Sequence, residues 1–282
     1  MKIAVVLNYN NYKQSIDCVN NLIKIGMDKI VLVDNKSTND SFRVLKQVYF
    51  DNEKVFVEQT KTNLGYANGN NFGFRLIERL YGVSKNNIIY VVNPDSFPDS
   101  NTVDAVFEFI QKNFDAGAVT TKINGTLKSA WHHLTPITGF MFNSWIFRWI
   151  TLKLGIREGG MYKDKRSIIP VDIVMGAFFG IRQTILKEIG YFDNNTFLYY
   201  EEEILFAKLK RINKQNYLLT KYNFKHIGRG STELPKLKFK EINDTSRLYL
   251  LSNYYGISKS YKMFYRLINR IDNFLIRLLH RA

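Results

Sequence analysis

Ile3-Ala4-Val5-Val6-Leu7 runs directly into Asn8-Tyr9-Asn10. The arrangement returns twice, as Ile30-Val31-Leu32-Val33 into Asp34-Asn35 and Ile88-Ile89-Tyr90-Val91-Val92 into Asn93-Pro94-Asp95. Apolar runs of this length without alternation read as strands buried on both faces, the mark of a parallel sheet. Open α/β sheets bind ligands just beyond the carboxyl ends of their strands. The chain thus places polar groups three times where such a fold keeps its ligand. A pocket for a molecule rich in hydrogen-bonding groups is expected there.

The segments between these runs agree. Helical spacing covers 14–25, and Lys36 to Asp40 reads as a turn and helix start. Val55-Phe56-Val57 is a further strand. Asn63 to Asn70 is a Gly/Asn-rich loop leading into a helix through Arg79, and Asp104 to Asn113 is another helix. Strands alternating with helices predict a βαβ series and a mostly parallel sheet. After Ala116 the regularity weakens, and 120–170 carries no assignable pattern. Ile173 to Ile181 is apolar, a short helix spans Gln183 to Ile189, and another starts near Tyr200.

The 282 residues, 45% of them apolar, suffice for one large domain with an appendage or for two modest ones. A single cysteine, Cys18, excludes an intrachain disulfide framework and fits a reducing compartment. Only five apolar residues follow Met1-Lys2, too few for the core of an export signal. The best candidate span, Phe140 to Ile156, is interrupted by Asn143, Arg148 and Lys153. A cytoplasmic protein is expected.

Charge is uneven. From Leu205 to Ala282 there are 17 Lys and Arg against 4 Asp and Glu, which carries most of the net +15. Such asymmetry points to a polyanionic partner, nucleic acid or an anionic membrane surface. Met263, Phe264, Leu267, Ile268, Ile271, Phe274, Leu275, Leu278 and Leu279 fall at helical spacing, with Arg266, Arg270, Arg277 and Arg281 on a neighbouring face. This predicts a basic amphipathic helix. It either docks on the domain with its basic face in solvent or lies on a membrane. The aromatic-basic stretch Trp145-Ile146-Phe147-Arg148-Trp149 favours the membrane.

Four clusters could carry chemistry. Tyr9 with Asp34-Asn35 could stack on a base and accept from its ring N–H, or Asp34 could merely cap a turn. Asn63 to Gly73 offers glycines for close backbone approach and amides at a helix start, or is a plain loop with a left-handed turn. Asn93-Pro94-Asp95 could place a carboxylate on a hard cation, or be a Pro-containing turn. Glu201-Glu202-Glu203 could serve acid/base chemistry, or answer the helix dipole. His226 and the basic loop Gly228 to Thr232 follow.

Taken in order, VVLNYN, VLVDNKSTNDS, NLGYANGNNFG, VVNPD, VMGAFFGIRQTILKEIGYFD, FLYYEEEIL and KHIGRGST resemble an inverting family 2 glycosyltransferase of the bacterial polysaccharide, rhamnosyltransferase-like type. The likeness covers roughly residues 3 to 232. It implies the GT-A fold, a Rossmann-like, mostly parallel α/β sheet flanked by helices, with a C-terminal basic helical extension. It also implies a nucleotide-sugar-binding half at 1–115, an acceptor-binding and catalytic half at 116–232, and a membrane-associating segment at 233–282.

The resemblance assigns roles. Asp34 would bind a pyrimidine and Tyr9 would pack on it. Leu7, Asn8, Asn10, Asn35, Ser37, Asn63, Gly65, Asn71, Asn93 and Arg229 complete the expected nucleotide-sugar site. Asp95, the lone carboxylate of a DXD-like motif, would hold Mg²⁺ or Mn²⁺ with His226. Glu202 would be the general base, with Glu201 as alternative. Asp172, Gly176, Ala177 and Trp131 would meet the acceptor. The implied donor is dTDP- or UDP-linked. The implied acceptor is a glycan or polyprenyl-diphosphate-linked glycan in capsule, O-antigen or cell-wall synthesis, with the enzyme peripheral on the inner face of the membrane. Three alternatives stay open, one of them a catalytically inactive glycan-binding relative, given the single Asp of the DXD-like motif. A nucleic-acid-binding protein would leave the Glu triplet unexplained, and no nucleic-acid motif is present, so no nucleic-acid partner is expected. A sugar nucleotidyltransferase would release pyrophosphate.

Overall fold

The computed structural model describes residues 1–154, 160–228 and 235–279. The first half runs β1 (Lys2–Asn8), α1 (Tyr12–Lys24), β2 (Lys29–Asp34), α2 (Ser41–Val48), β3 (Val55–Gln59), α3 (Tyr66–Tyr81), β4 (Ile88–Val92), β5 (Ser96–Phe97) and α4 (Ser100–Lys112). It continues through β6 (Ala116–Ile123), β7 (Ala130–Trp131), α5 (Pro136–Met141), α6 (Trp145–Lys153), β8 (Ile168–Val171), β9 (Ile173–Val174) and β10 (Phe178–Arg182). The chain then forms α7 (Gln183–Glu188), α8 (Glu201–Arg211), β11 (Gln215–His226), α9 (Lys236–Tyr254) and α10 (Lys259–Leu279).

The main sheet has the order β3-β2-β1-β4-β10-β6-β11-β5, with β8 paired to β11. β3, β2, β1 and β4 are parallel, as the apolar runs predict. β10 reverses against both β4 and β6, and β11 runs parallel to β6. Successive side chains enter opposite layers. Ala4, Val6 and Tyr90 pack under α1 and α4, whereas Ile3, Val5, Ile89 and Val91 pack under α3. Two filled layers explain why β4 is buried at every residue. Burying each such Ile, Val or Leu side chain contributes about 1.5–3 kcal/mol.

Register sets the height of the polar ends. Asn8 lies opposite Asp34, and Asp34 opposite Gln59. The loops there are held by local chemistry. Asn11 caps α1 by accepting from Gln14 N, and Asp99 caps α4 by accepting from Thr102 N.

Several expectations shift. α3 begins at Tyr66, so Asn68 to Asn71 are helical, not part of a loop. Their poor helix propensity is overridden by tertiary bonding: Asn71 donates to Phe192 O and accepts from Phe192 N. α4 starts at Ser100 because Asp99 caps it there. Within 120–170, β6 runs on to Ile123, and a Thr135–Thr138 capping box starts α5. The apolar stretch from Ile173 breaks at Met175-Gly176-Ala177 into β9 and β10. α9 escaped the pattern because its inward face carries Asp244, Ser246 and Arg247, all buried. Around it, Tyr200, Ile204, Leu250, Leu251 and Tyr265 form a third apolar cluster joining α8, α9 and α10. No helix among the described residues is long and apolar enough to cross a membrane.

Candidate functional site

A cavity of about 750 Å³ opens over the carboxyl ends of β1, β2 and β4. Leu7, Tyr9, Asn35, Asn63, Gly65, Asn93 and Asp95 line it, with His226 from the end of β11. These are the strand ends that the three apolar runs single out.

Asp95 and His226 stand 131 residues apart in sequence but touch, with His226 Nε2 3.2 Å from Asp95 Oδ2. The short β5–β11 ladder does this, pairing Ser96 with His226. Ile227 N then donates to Asp95 O at 3.0 Å. Asn124 fixes the His226 backbone from both sides, donating to its carbonyl and accepting from its N–H. The two side chains keep only 7% and 20% exposure, at the cavity wall. One carboxylate oxygen and one imidazole nitrogen suit a divalent cation such as Mn²⁺. No third His, Cys, Asp or Glu joins them among the described residues, so the remaining ligands of a cation would come from a bound molecule and water.

Asp34 sits differently from the expectation. It is fully buried and does not line the cavity. Its Oδ1 accepts from Ser37 N (2.9 Å) and Gln59 Nε2 (2.8 Å). Its Oδ2 accepts from Asn8 Nδ2 (2.7 Å) and Ser37 Oγ (2.6 Å). A carboxylate has about four lone-pair sites, so this one is saturated by Ser37 of its own loop and by the ends of β1 and β3. Asn8 and Ser37 serve the same network. The adjacent Asn35 turns toward the cavity, bonded to Asn63 and to the Gly65 carbonyl. Asn10, at φ 57°, turns the chain and accepts from Thr38 N. Asn71 is committed to the Phe192 backbone, away from the cavity. Gly65, at φ 95°, lies so close to Phe197 that a Cβ would strike the Phe197 carbonyl.

The Glu triplet opens α8 after two left-handed residues, Tyr199 and Tyr200. Its three side chains diverge. Glu201 accepts from Thr196 Oγ1 at 3.3 Å, and Glu203 from Trp131 Nε1 at 2.9 Å. Glu202 Oε1 accepts from Gly176 N at 2.9 Å, at the break between β9 and β10. A Cβ on Gly176 would stand 2.5 Å from that oxygen. Tyr66, which lines the cavity, donates to Gly176 O at 2.8 Å, so Glu202 adjoins the cavity wall. Burial pushes the Glu202 carboxyl above the usual glutamate range. Glu201 is pushed up to about 8, by burial first and by the Glu202 charge second.

Asp172 and Trp131 lie further along. β7–β9 pairing sets Trp131 opposite Ile173. Asp172 accepts from His133 N at 3.0 Å and meets His133 Nδ1 at 2.6 Å. Burial opposes its ionisation, but these His133 bonds prevail and its pKa lies below the usual carboxylate range. Ala177 is buried, its carbonyl accepting from Asn93 N. Arg229 lies outside the described residues. Tyr66, Phe197, Lys238 and Ile242 also line the cavity and escaped the sequence reading. Tyr66 and Phe197 lay within the family motifs without a role, but Lys238 and Ile242 arrive on α9, which had no motif.

The sequence profile of glycosyl transferase family 2 matches residues 3–190. The chain belongs to this family. A curated relative, the low-salt glycan biosynthesis hexosyltransferase Agl10 of Haloferax volcanii, is 25% identical over 195 residues, which is 68% of this chain. This chain spans 57% of that relative's length. Among solved structures, GalNAc-T7 with UDP, GalNAc and Mn²⁺ aligns over 89% of this chain and 47% of its own, at TM-score 0.65 and 14% identity. The Pyrobaculum calidifontis mannosyltransferase PcManGT with GDP-Man and Mn²⁺ aligns over 92% and 65%, at 0.60 and 11%. S. aureus TarS 1–349 with UDP-GlcNAc aligns over 93% and 69%, at 0.54 and 15%. At such identities the likeness establishes the architecture, and that architecture is GT-A.

Glu201 makes a stability prediction for this family 2 chain. Its folded pKa of about 8 exceeds the reference value of 4.5. The folded state therefore binds more protons than the unfolded state between those values, and stability falls as pH rises through the window. Glu201→Gln removes that cost. Its melting temperature should exceed that of wild type at pH 8.5 by about 2–4 °C for each kcal/mol recovered, with the advantage gone at pH 4. Equal melting temperatures at pH 8.5 would contradict the burial argument.

Proposed function

We propose that the chain transfers a sugar, with inversion, from a nucleotide-sugar to an acceptor hydroxyl. The observation that carries this reading is the pairing of Asp95 with His226 on a cavity wall that also adjoins the Glu202 carboxylate. The relatives named above are seen with UDP, GDP-Man or UDP-GlcNAc, two of them with Mn²⁺, which supports a nucleotide-sugar donor and a divalent cation.

Tyr9 supplies a ring for a base, and Asn35 and Asn63 supply amides beside it. Asp95 and His226 would hold Mn²⁺ or Mg²⁺, which would neutralise charge on a diphosphate. Lys238 adds a positive group on the same wall. Glu202 removes the proton from the acceptor hydroxyl as that oxygen bonds to the anomeric carbon. The bond from that carbon to the diphosphate oxygen breaks on the opposite face, and the nucleoside diphosphate leaves. A raised pKa suits a base that must take a hydroxyl proton near neutral pH. Asp172, Trp131 and Gly176 are the residues proposed to meet the acceptor. The acceptor proposed is a polyprenyl-diphosphate-linked glycan in cell-surface polysaccharide synthesis, met at the inner face of a bacterial membrane.

Incubation with UDP-, dTDP- and GDP-sugars, with Mn²⁺, Mg²⁺ or EDTA, tests the reaction. Slow release of nucleoside diphosphate from one donor, lost with EDTA, is the expected result. Release of pyrophosphate would instead identify a nucleotidyltransferase, and no turnover of any donor would defeat the reading.

A further inference from the structure

α10 is docked the wrong way round for a helix of a water-soluble surface. Its inward face mixes the half-buried Ile268 and Ile276 with polar and aromatic residues, Tyr261, Tyr265, Asn269 and Asp272. Asp272 is 4% exposed and sits 3.9 Å from Lys240 Nζ of α9, which also reaches Asn269 Oδ1. Its outward face is apolar. Phe264, Leu267, Ile271, Phe274 and Leu278 are each 50–64% exposed. A helix held only by packing would bury those residues and expose the aspartate.

α6 continues this surface. The Asn143 side chain, just before α6, donates to Tyr265 O of α10 at 3.0 Å and is itself buried. From that junction α6 exposes Phe147, Trp149 and Leu152, at 47–56%. Apolar patches of this kind on a monomer mark an interaction surface. Its charge selects the partner. Arg148, Lys153, Arg266 and Arg270 are exposed on the same two helices, as is Arg277, which pairs with Glu241 of α9 at 3.1 Å. α6 contains no acid, and the sole acid of α10, Asp272, points inward. Two copies meeting through this face would bring like charges together. An anionic bilayer would neutralise them while accepting the apolar side chains.

We propose that α6 and α10 form one membrane-docking face, inserting Trp149 and Leu152, neighbours on one side of α6, beside Phe264 and Leu267 into an anionic leaflet. The inference deepens the membrane partner of the proposed function, but it rests on these two helices and not on the chemistry. It gives α6 an insertion role equal to that of the basic C-terminal helix, so that neither helix suffices alone.

Flotation with vesicles of 30% phosphatidylglycerol in phosphatidylcholine tests it, using the full chain. Trp149→Ser/Leu152→Ser on α6 and Phe264→Ser/Leu267→Ser on α10 should each weaken partitioning by about tenfold or more, since each pair removes two inserted side chains. Wild type should bind pure phosphatidylcholine vesicles at least about tenfold less well, because each basic residue near an anionic surface adds attraction. All substitutions are at exposed positions, and unchanged melting curves would confirm the fold. Wild-type partitioning by the α6 variant would overturn the proposal. So would lipid-free self-association, seen by sedimentation and abolished in both variants, because a second copy would then cover the face. Nucleoside diphosphate release without lipid, measured in parallel, separates the two readings. Vesicle binding without donor turnover sinks the transfer reaction alone, and turnover without vesicle binding sinks the docking face alone.

Discussion

Glu202→Gln lowers sugar transfer by about 10²- to 10⁴-fold and leaves nucleotide affinity unchanged. The amide keeps the length and shape of the side chain and can still accept from Gly176 N, the bond that holds Glu202 at 2.9 Å. What it loses is the ability to take a proton. A single-turnover assay with saturating donor gives the rate, and titration calorimetry with nucleoside diphosphate gives the affinity. Near-wild-type turnover would remove Glu202 from the base role. The pH profile adds an independent check. Burial raises the Glu202 pKa, so the wild-type rate should fall as pH drops, with a midpoint above the ordinary glutamate value of about 4.3. If Glu201 were the base instead, Glu201→Gln would carry the larger loss.

Asp34→Ala unfolds the chain more readily and is the second large effect. Four hydrogen bonds converge on this carboxylate, from Asn8, Gln59 and both polar groups of Ser37. Removing it leaves several buried donors without an acceptor, at about 1–3 kcal/mol for each group left unsatisfied. A total of about 3–5 kcal/mol is expected, which lowers the melting temperature by roughly 10 °C. Thermal melting of the purified variant measures this directly. A variant with the wild-type melting temperature but weakened nucleotide binding would restore Asp34 to the direct base contact that the family resemblance implies.

The strand ends were legible because a strand buried on both faces must be apolar throughout. Its first polar residue therefore marks the place where the backbone leaves the sheet. Those first polar residues are Asn8, Asp34 and Asn93, and Tyr9, Asn35 and Asp95, one or two positions further on, line the cavity with Asn93. The signal says less about adjacent residues. Asp34 and Asn35 are equally polar, yet the pleat sends their side chains in different directions, one into the loop network and the other to the cavity. The Glu triplet posed the same difficulty. Three acids in a first helical turn look alike in one dimension, and only the positions of Thr196, Gly176 and Trp131 distinguish them.

α9 and α10 show the reverse case. The periodicity of α10 was plain, but periodicity reveals that a helix has two faces, not which of them is covered. Here the buried Asp272 and its Lys240 neighbour hold the polar face inward, and α9 hides its own buried face behind Asp244 and Arg247. The amino-acid sequence by itself determined the parallel sheet, the strand-end location of the ligand cavity and the family, because these follow from local runs and their order. Only the tertiary structure decided that His226 reaches Asp95, which Glu adjoins the cavity and which face of α10 meets the outside. Each of these depends on segments brought together from distant parts of the chain, and such contacts leave no periodic trace in either segment.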